Sequence, residues 1–507
     1  MRHWLPPVLV ALIGAFMSIL DSSIVNVAVP TIMNVFNAGP SDVQWVSTIY
    51  LLAMGVVVPL SGWLGDKFGF KRLYMASLAL FVLGSLICGL SWDLNSLIIA
   101  RVFQAMGGGM IMPTMMAMIY RIVPRDKIGG GMAIFGLSLM VGPAIGPTLG
   151  GYLVEYVNWR WIFTINLPIG VVGILLAWFV LPDFQSKHPG KLDFGGAISA
   201  AVTLFCILLA LSKGHEWGWT DERIMLLFVV SFFALVLFIY IELTAKNPLL
   251  ELRIFKYRSF TVSNLLVVVT TVGMYAGMFY LPLFLQSVRG LGAMQTGMLM
   301  MPSALASGLM MPITGKLYDK VGPRPLVVFG VLMLAVLTFQ FHNLNLMTAT
   351  TTIVLWATLR GMVMAFANMP AQTAALADVP TELVGRAAVI SNIIRNVAGS
   401  FGLAALTSLL TARQSMHGAR LAWTLVPGNP VVATTVSRIG HALGGGARGR
   451  GAALGYLQGM VSRTSFVNGI DDVFVAAAAF TLVALIPAFF LKRGTLTPGM
   501  ARAPVGE

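Results

Sequence analysis

Charge is the scarcest thing in this sequence. Asp, Glu, Lys and Arg together make up 10% of its 507 residues, against about 25% in a soluble domain. That shortage excludes an aqueous globule, because too few solvated groups are present to cover one. Acid is scarcer than base, 19 residues against 33, for a formal net charge of +14. In a soluble chain such a balance points to nucleic acid. Here the basic residues stand in short segments between apolar runs, where they orient a chain in a bilayer and attract anionic lipid, so no nucleic-acid partner is expected. Cysteine is nearly absent: Cys88 and Cys206 each lie in an apolar run and form no C-x-x-C pair. Redox and metal roles are therefore not expected. No phosphate-binding lysine motif and no nucleophile constellation is visible, so the chain does not read as an enzyme. The opening apolar run is too long for a cleaved signal and lacks a small-x-small site.

Hydrophobic residues fill the chain instead, at 57% with a mean hydropathy of +0.84. A spanning helix needs about 20 mostly apolar residues. Fourteen runs qualify: about 8–33, 43–64, 73–91, 95–120, 128–153, 161–181, 192–212, 223–243, 259–285, 294–318, 325–341, 349–372, 385–411 and 471–491. Such runs are far too long for barrel strands, so an all-α membrane protein is expected. With the N-terminus placed in the cytoplasm, twenty Lys and Arg fall in inner segments. The short outer segments hold only Arg160, Lys213, Arg223 and Arg289. Positive residues stay inside, which predicts a multi-pass cell-membrane protein with both termini cytoplasmic.

The chain repeats itself. Gly62-Trp63-Leu64-Gly65-Asp66-Lys67-Phe68-Gly69 returns as Gly315-Lys316-Leu317-Tyr318-Asp319-Lys320-Val321-Gly322, an offset of 253 residues. Arg101 and Arg360 repeat at 259. Two six-span halves with two inserted spans explain both offsets. The expected division is 1–185 for the first bundle, 186–255 for the insertion and 256–507 for the second bundle, with a long outer loop at about 412–470.

The residue that stands out is Asp21, in Leu20-Asp21-Ser22-Ser23-Ile24-Val25-Asn26-Val27-Ala28-Val29-Pro30. A carboxylate in mid-span costs about 2.5–3.5 kcal/mol on insertion scales and is rare unless it faces a partner, water or a substrate path. Asp21 is the one acid deep within a span of the first half, and we read it as proton-handling. Packing alone is the alternative.

These residues resemble the major facilitator superfamily, and within it the fourteen-span drug:proton antiporters of the EmrB/QacA type. The stretch from Leu20 to Pro30 is similar to the family's first-helix signature, and Gly62 to Arg72 to its cytoplasmic loop motif. Arg101-Val102-Phe103-Gln104-Ala105-Met106-Gly107-Gly108-Gly109 resembles the fourth-helix motif, with Ala105 where Gly is usual. Gly142-Pro143-Ala144-Ile145-Gly146-Pro147-Thr148-Leu149-Gly150-Gly151 is similar to the antiporter motif of helix 5. The resemblance implies two six-helix bundles plus two inserted helices, and proton-coupled efflux of hydrophobic or cationic small molecules by alternating access. The alternative is a transporter of one metabolite, peptide or lipid in the same fold. It implies no cofactor, the proton gradient being the energy source. It also implies a role for Arg101 in tuning Asp21, and a cytoplasmic latch from Gly62, Asp66, Gly69, Arg72, Asp319 and Arg324.

By depth and type, Asn26, Trp45, Tyr50, Gln104, Asn166, Tyr275, Tyr280, Asn368, Gln372 and Arg395 are candidates for the substrate path, each with packing as the plain alternative. Gly142, Gly146 and Gly150 fall on one helix face, and Pro143 and Pro147 free carbonyls and bend the helix. This element is expected at the seam between the halves, limiting proton leak. The 412–470 segment has two open readings. One is a docking surface for a periplasmic adaptor protein that leads to an outer-membrane channel, as in EmrB-like systems. The other is a partly disordered loop. Small-molecule drugs and the lipid bilayer complete the expected partners.

Overall fold

In the computed structural model of the chain, residues 4–38, 40–124, 127–183, 193–245, 248–380, 383–424, 430–442 and 446–491 are described, and every regular element among them is helical. The first group comprises α1 (Leu5–Phe36), α2 (Pro40–Phe68), α3 (Phe70–Gly89), α4 (Leu94–Ile122), α5 (Ile128–Tyr152), α6 (Trp161–Thr164) and α7 (Asn166–Val180). Next come α8 (Phe194–Trp217) and α9 (Glu222–Thr244). The last group comprises α10 (Arg258–Tyr275), α11 (Leu281–Ser287), α12 (Ala293–Val321), α13 (Pro323–Gln340), α14 (Thr350–Ala377), α15 (Val384–Thr424), α16 (Pro430–Ala442), α17 (Gly446–Val483) and α18 (Leu485–Phe489).

Thirteen helical segments among the described residues are long and apolar enough to cross a membrane. The helices α6 and α7 together make one of them, as do α10 with α11 and α17 with α18. The 25-residue α5 adds the fourteenth crossing in the place its apolar run predicts. The chain is thus a multi-pass membrane protein of about fourteen spans. An even number of crossings puts α1's start and α18's end on one side, here called the terminal face.

Local chemistry sets the element ends. Asp93 opens α4 with a capping box: Ser96 N donates to Asp93 Oδ1 at 2.7 Å, and Asp93 N donates back to Ser96 Oγ at 3.1 Å. The two copies of the repeat each close on a left-handed glycine, Gly69 at φ 87° and Gly322 at φ 82°. Only glycine enters that region freely, so α2 turns into α3, and α12 into α13, within a single residue.

The two groups meet along α5 against α12, and along α2 and α4 against α15. The inserted α8 wedges between α2 and α15, while α9 packs on α8. Gly55 and Val58 of α2, Leu204 and Leu208 of α8, and Ile393, Asn396 and Val397 of α15 meet at this junction, too closely packed to hold a water.

One expectation needs correcting. The 412–470 segment is helix in nearly all its described part: α15 runs on to Thr424, α16 follows, and α17 already begins at Gly446. At 41 and 38 residues, α15 and α17 are each about 60 Å long at 1.5 Å per residue. That is about twice the hydrocarbon thickness. They run side by side beyond the bilayer, joined where His417 Nε2 meets Asp472 Oδ2 at 2.9 Å. Arginine and glycine lower the hydropathy of this stretch without preventing a helix.

Candidate functional site

Asp21 lies midway along α1 with no accessible surface. Its oxygens are claimed by three side chains from two helices. Arg101 Nη1, on α4, donates to Oδ2 at 2.6 Å. Gln104 Nε2, one turn further along α4, donates to Oδ1 at 2.8 Å, and Asn166 Nδ2, at the start of α7, donates to the same oxygen at 2.9 Å. A second layer holds the donors. Ser85 Oγ on α3 accepts from Gln104 Nε2 at 2.7 Å and from Asn166 Nδ2 at 3.3 Å. Arg101 Nε donates to the Val46 carbonyl of α2 at 3.2 Å, and its Nη1 also to Gln104 Oε1 at 2.5 Å. The Tyr50 ring lies under the guanidinium, 3.9 Å from centroid to Cζ, a cation–π contact. The Tyr50 hydroxyl and Ser18 Oγ are 3.3 Å apart.

This ring is built wholly inside the first group of helices. Asp21, Arg101, Gln104, Asn166, Ser85 and Tyr50 are all buried. Removing one partner of such a pair strands the other charge, at about 3–5 kcal/mol, so the arrangement is tightly determined. Through Arg101, Gln104 and Asn166 the carboxylate ties α1 to α4 and α7, and the Arg101 bond to the Val46 carbonyl extends the network to α2.

Tyr50, Gln104 and Asn166, expected along a substrate path, are thus drawn into the ring. Ser85 and Ser18 were not singled out in the sequence. Trp45 stands elsewhere, 5.0 Å beneath the buried Lys213 ammonium of α8, which also bonds Glu216 Oε2 at 2.5 Å. In the last group, the Tyr280 hydroxyl and Thr407 Oγ1 are 2.8 Å apart. Tyr275 packs its ring against Gly399, and Arg395 Nη2 donates to Asn392 Oδ1 at 3.4 Å. Asn368 Nδ2 is buried with no hydrogen-bond partner, and Gln372 is half-buried. The side chains of Asn26, Pro143 and Pro147 lie outside the described residues.

The glycine face of α5 is not where it was expected. A methyl group on Gly142 would press on Ile19, one on Gly146 on Ser23, and one on Gly150 on Ile24. All three lie on α1, within the first group, so this face packs on α1 rather than on the seam. Other α5 positions meet α12: Gly136 lies against Met311 and Gly151 against Met294.

At the terminal face, Asp66 Oδ1 pairs with Arg121 of its own group at 3.9 Å, and Oδ2 with Arg386 of the other at 3.5 Å. Gly62 lies beside Arg386 and Val389, and Arg386 also reaches Glu251, in the connector after α9, at 3.9 Å. Arg72 pairs at 4.0 Å with the exposed Asp183, and the Arg324 guanidinium lies 5.6 Å from the Phe489 ring. Of the expected latch residues, Gly62 and Asp66 touch the opposite group, and Arg386 is a partner of both.

Two helical groups meeting along a seam, a buried acid–arginine pair in one of them and ion pairs closing one face define a membrane transporter. Comparison with known proteins places it more closely. The Major Facilitator Superfamily profile matches residues 11–403, and the chain belongs to that family. It is 34% identical over 489 residues to the uncharacterized MFS-type transporter YhcA of Bacillus subtilis, covering 96% of this chain and 92% of that protein. To the multidrug export protein EmrB of Haemophilus influenzae it is 30% identical over 484 residues, covering 95% and 94%. The fold is also that of the proton:xylose symporter XylE, at a TM-score of 0.58 and 14% identity, covering 95% of this chain and 96% of that one.

Proposed function

We propose that this chain exports hydrophobic small molecules, drugs among them, in exchange for protons, by rocking its two halves about the seam. The observation that carries the reading is Asp21, bonded at both oxygens and paired with Arg101 in mid-span. An intramembrane acid held this way is the expected form of a proton relay. Its enclosure within the first half favours coupling through helix packing over direct competition between proton and cargo at one carboxylate. The Asp66–Arg386 pair closes the terminal face in this state and must part when that face opens. The excess of Lys and Arg in the short segments on that side supports placing it in the cytoplasm of a cell with this chain in its inner membrane. The likeness to a protein named a multidrug export protein supports the cargo class.

The test uses proteoliposomes loaded with a hydrophobic dye and given a pH gradient. Wild type is expected to move dye and protons in opposite directions, and Asp21→Asn to bind dye but to lose gradient-driven movement. Full gradient-driven export by the asparagine form would refute the coupling role.

A further inference from the structure

Arg101, Arg360 and Arg395 lie deep within spans, and the structure treats them differently. Arg101 answers Asp21. Arg360 donates through Nε to Thr338 Oγ1 at 3.1 Å and through Nη2 to the carbonyls of Gly273 at 2.6 Å and Met274 at 3.3 Å. A guanidinium carries five N–H donors. Arg395 uses one of them, in a long 3.4 Å bond to Asn392 Oδ1. Among the described residues it has no other hydrogen bond and no ion pair. Its remaining donors are unclaimed.

Position says where they point. Arg395 is about 16 Å along α15 from its terminal-face end at 1.5 Å per residue, near the middle of a hydrocarbon core about 30 Å thick. Phe401, exposed toward the surroundings, projects about 120° away around the same helix at 100° per residue. Gly399, one turn beyond Arg395, touches the Tyr275 ring of α10. The half-buried Arg395 therefore sits between the Tyr275 side and the buried Asn392, turned from the lipid. On the helices lining the seam, Thr114 Oγ1 of α4, Thr314 Oγ1 of α12, Asn368 Nδ2 of α14 and Ser391 Oγ of α15 are buried without partners.

No acid balances this region among the described residues. Asp21 is enclosed in the other half and saturated. Glu242 is near the terminal-face end of α9, and Asp471 and Asp472 are at the far end of the last crossing. The mid-membrane part of the seam is thus positive, hydroxyl-bearing and otherwise apolar. An unpaired cation there is costly, and an incoming anion that bonds it offsets that cost.

We propose that Arg395, with Asn392 and Tyr275, is a recognition site for an anionic group, a carboxylate, sulfonate or acidic phenolate, on an otherwise apolar molecule. The proposal rests on the exporter reading above and narrows its cargo to amphiphilic weak acids.

Its test reads charge and access without transport. Both native cysteines are replaced (Cys88→Ser, Cys206→Ser), and Asn392→Cys is introduced beside Arg395. The protein in lipid nanodiscs is reacted with an anionic methanethiosulfonate (sulfonatoethyl) and a cationic one (trimethylammonioethyl), with rates normalised to a free thiol. The anionic reagent is expected to be favoured at least fivefold, Arg395→Lys to keep that preference and Arg395→Gln to abolish it. Equal normalised rates, a preference that survives Arg395→Gln, or no reaction with either reagent would each overturn the site. Asp21-dependent exchange would stand in all three cases, so the two readings fail separately.

Discussion

An acid in oil is kept only where something answers it, and Asp21 is answered by Arg101, Gln104 and Asn166. The pair makes a double-mutant prediction. Arg101→Met leaves a buried carboxylate without its counter-charge and should lower stability by about 3–5 kcal/mol. Adding Asp21→Asn removes the stranded charge, so the double variant should unfold at a higher temperature than Arg101→Met alone, measured by thermal unfolding in detergent. A double variant no more stable than the single would mean that the two side chains do not compensate each other. Asp21 and Arg101 were legible in the sequence because charges in apolar runs are costly. Ser85 was not. A serine in a spanning helix ordinarily satisfies itself one turn back, as Ser77 does on the Leu73 carbonyl at 2.7 Å and Ser199 on that of Gly195 at 2.8 Å. That Ser85 instead accepts from two amides on other helices is tertiary information.

At the scale of helices, regular glycine spacing on α5 announced a close contact but not its partner. The contact is α1, at Ile19, Ser23 and Ile24, on either side of Asp21. Gly146→Val should therefore disturb the acid's surroundings. Overpacking typically costs about 1–3 kcal/mol, and proton-coupled dye export should fall at least tenfold. Gly130→Ala, on the same helix with open space around it, should leave export unchanged. Equal loss in both would mean that α5 tolerates no change at all and that the α1 contact is not special. The segment after residue 411 teaches the opposite lesson. Low hydropathy says nothing about backbone, and α15 and α17 continue helically well past their apolar runs.

Over the whole molecule, run length and loop charge made the class of fold plain. Which base crosses the seam to meet Asp66 was hidden. Arg386 does so, and through Glu251 it also ties the connector after the inserted helices to the closed face. Gly62 and Val389 face each other there, a Cβ on the glycine lying 3.7 Å from the valine. In the background lacking both native cysteines, Gly62→Cys with Val389→Cys should cross-link under oxidation, stop dye export and recover it on reduction. Undiminished export by the cross-linked protein would show that this face need not open.

The two halves repeat an arginine but not its acid: where Arg101 meets Asp21, Arg360 meets backbone carbonyls. Under the exchange proposed above, Asp21 carries one proton per turn. One pH unit supplies about 1.4 kcal/mol, and 100 mV supplies about 2.3 kcal/mol per charge moved. An uncharged cargo would then stall at a concentration ratio of roughly 500. A monoanion leaving with the field gains a second charge's worth, lifting the stall point about fiftyfold.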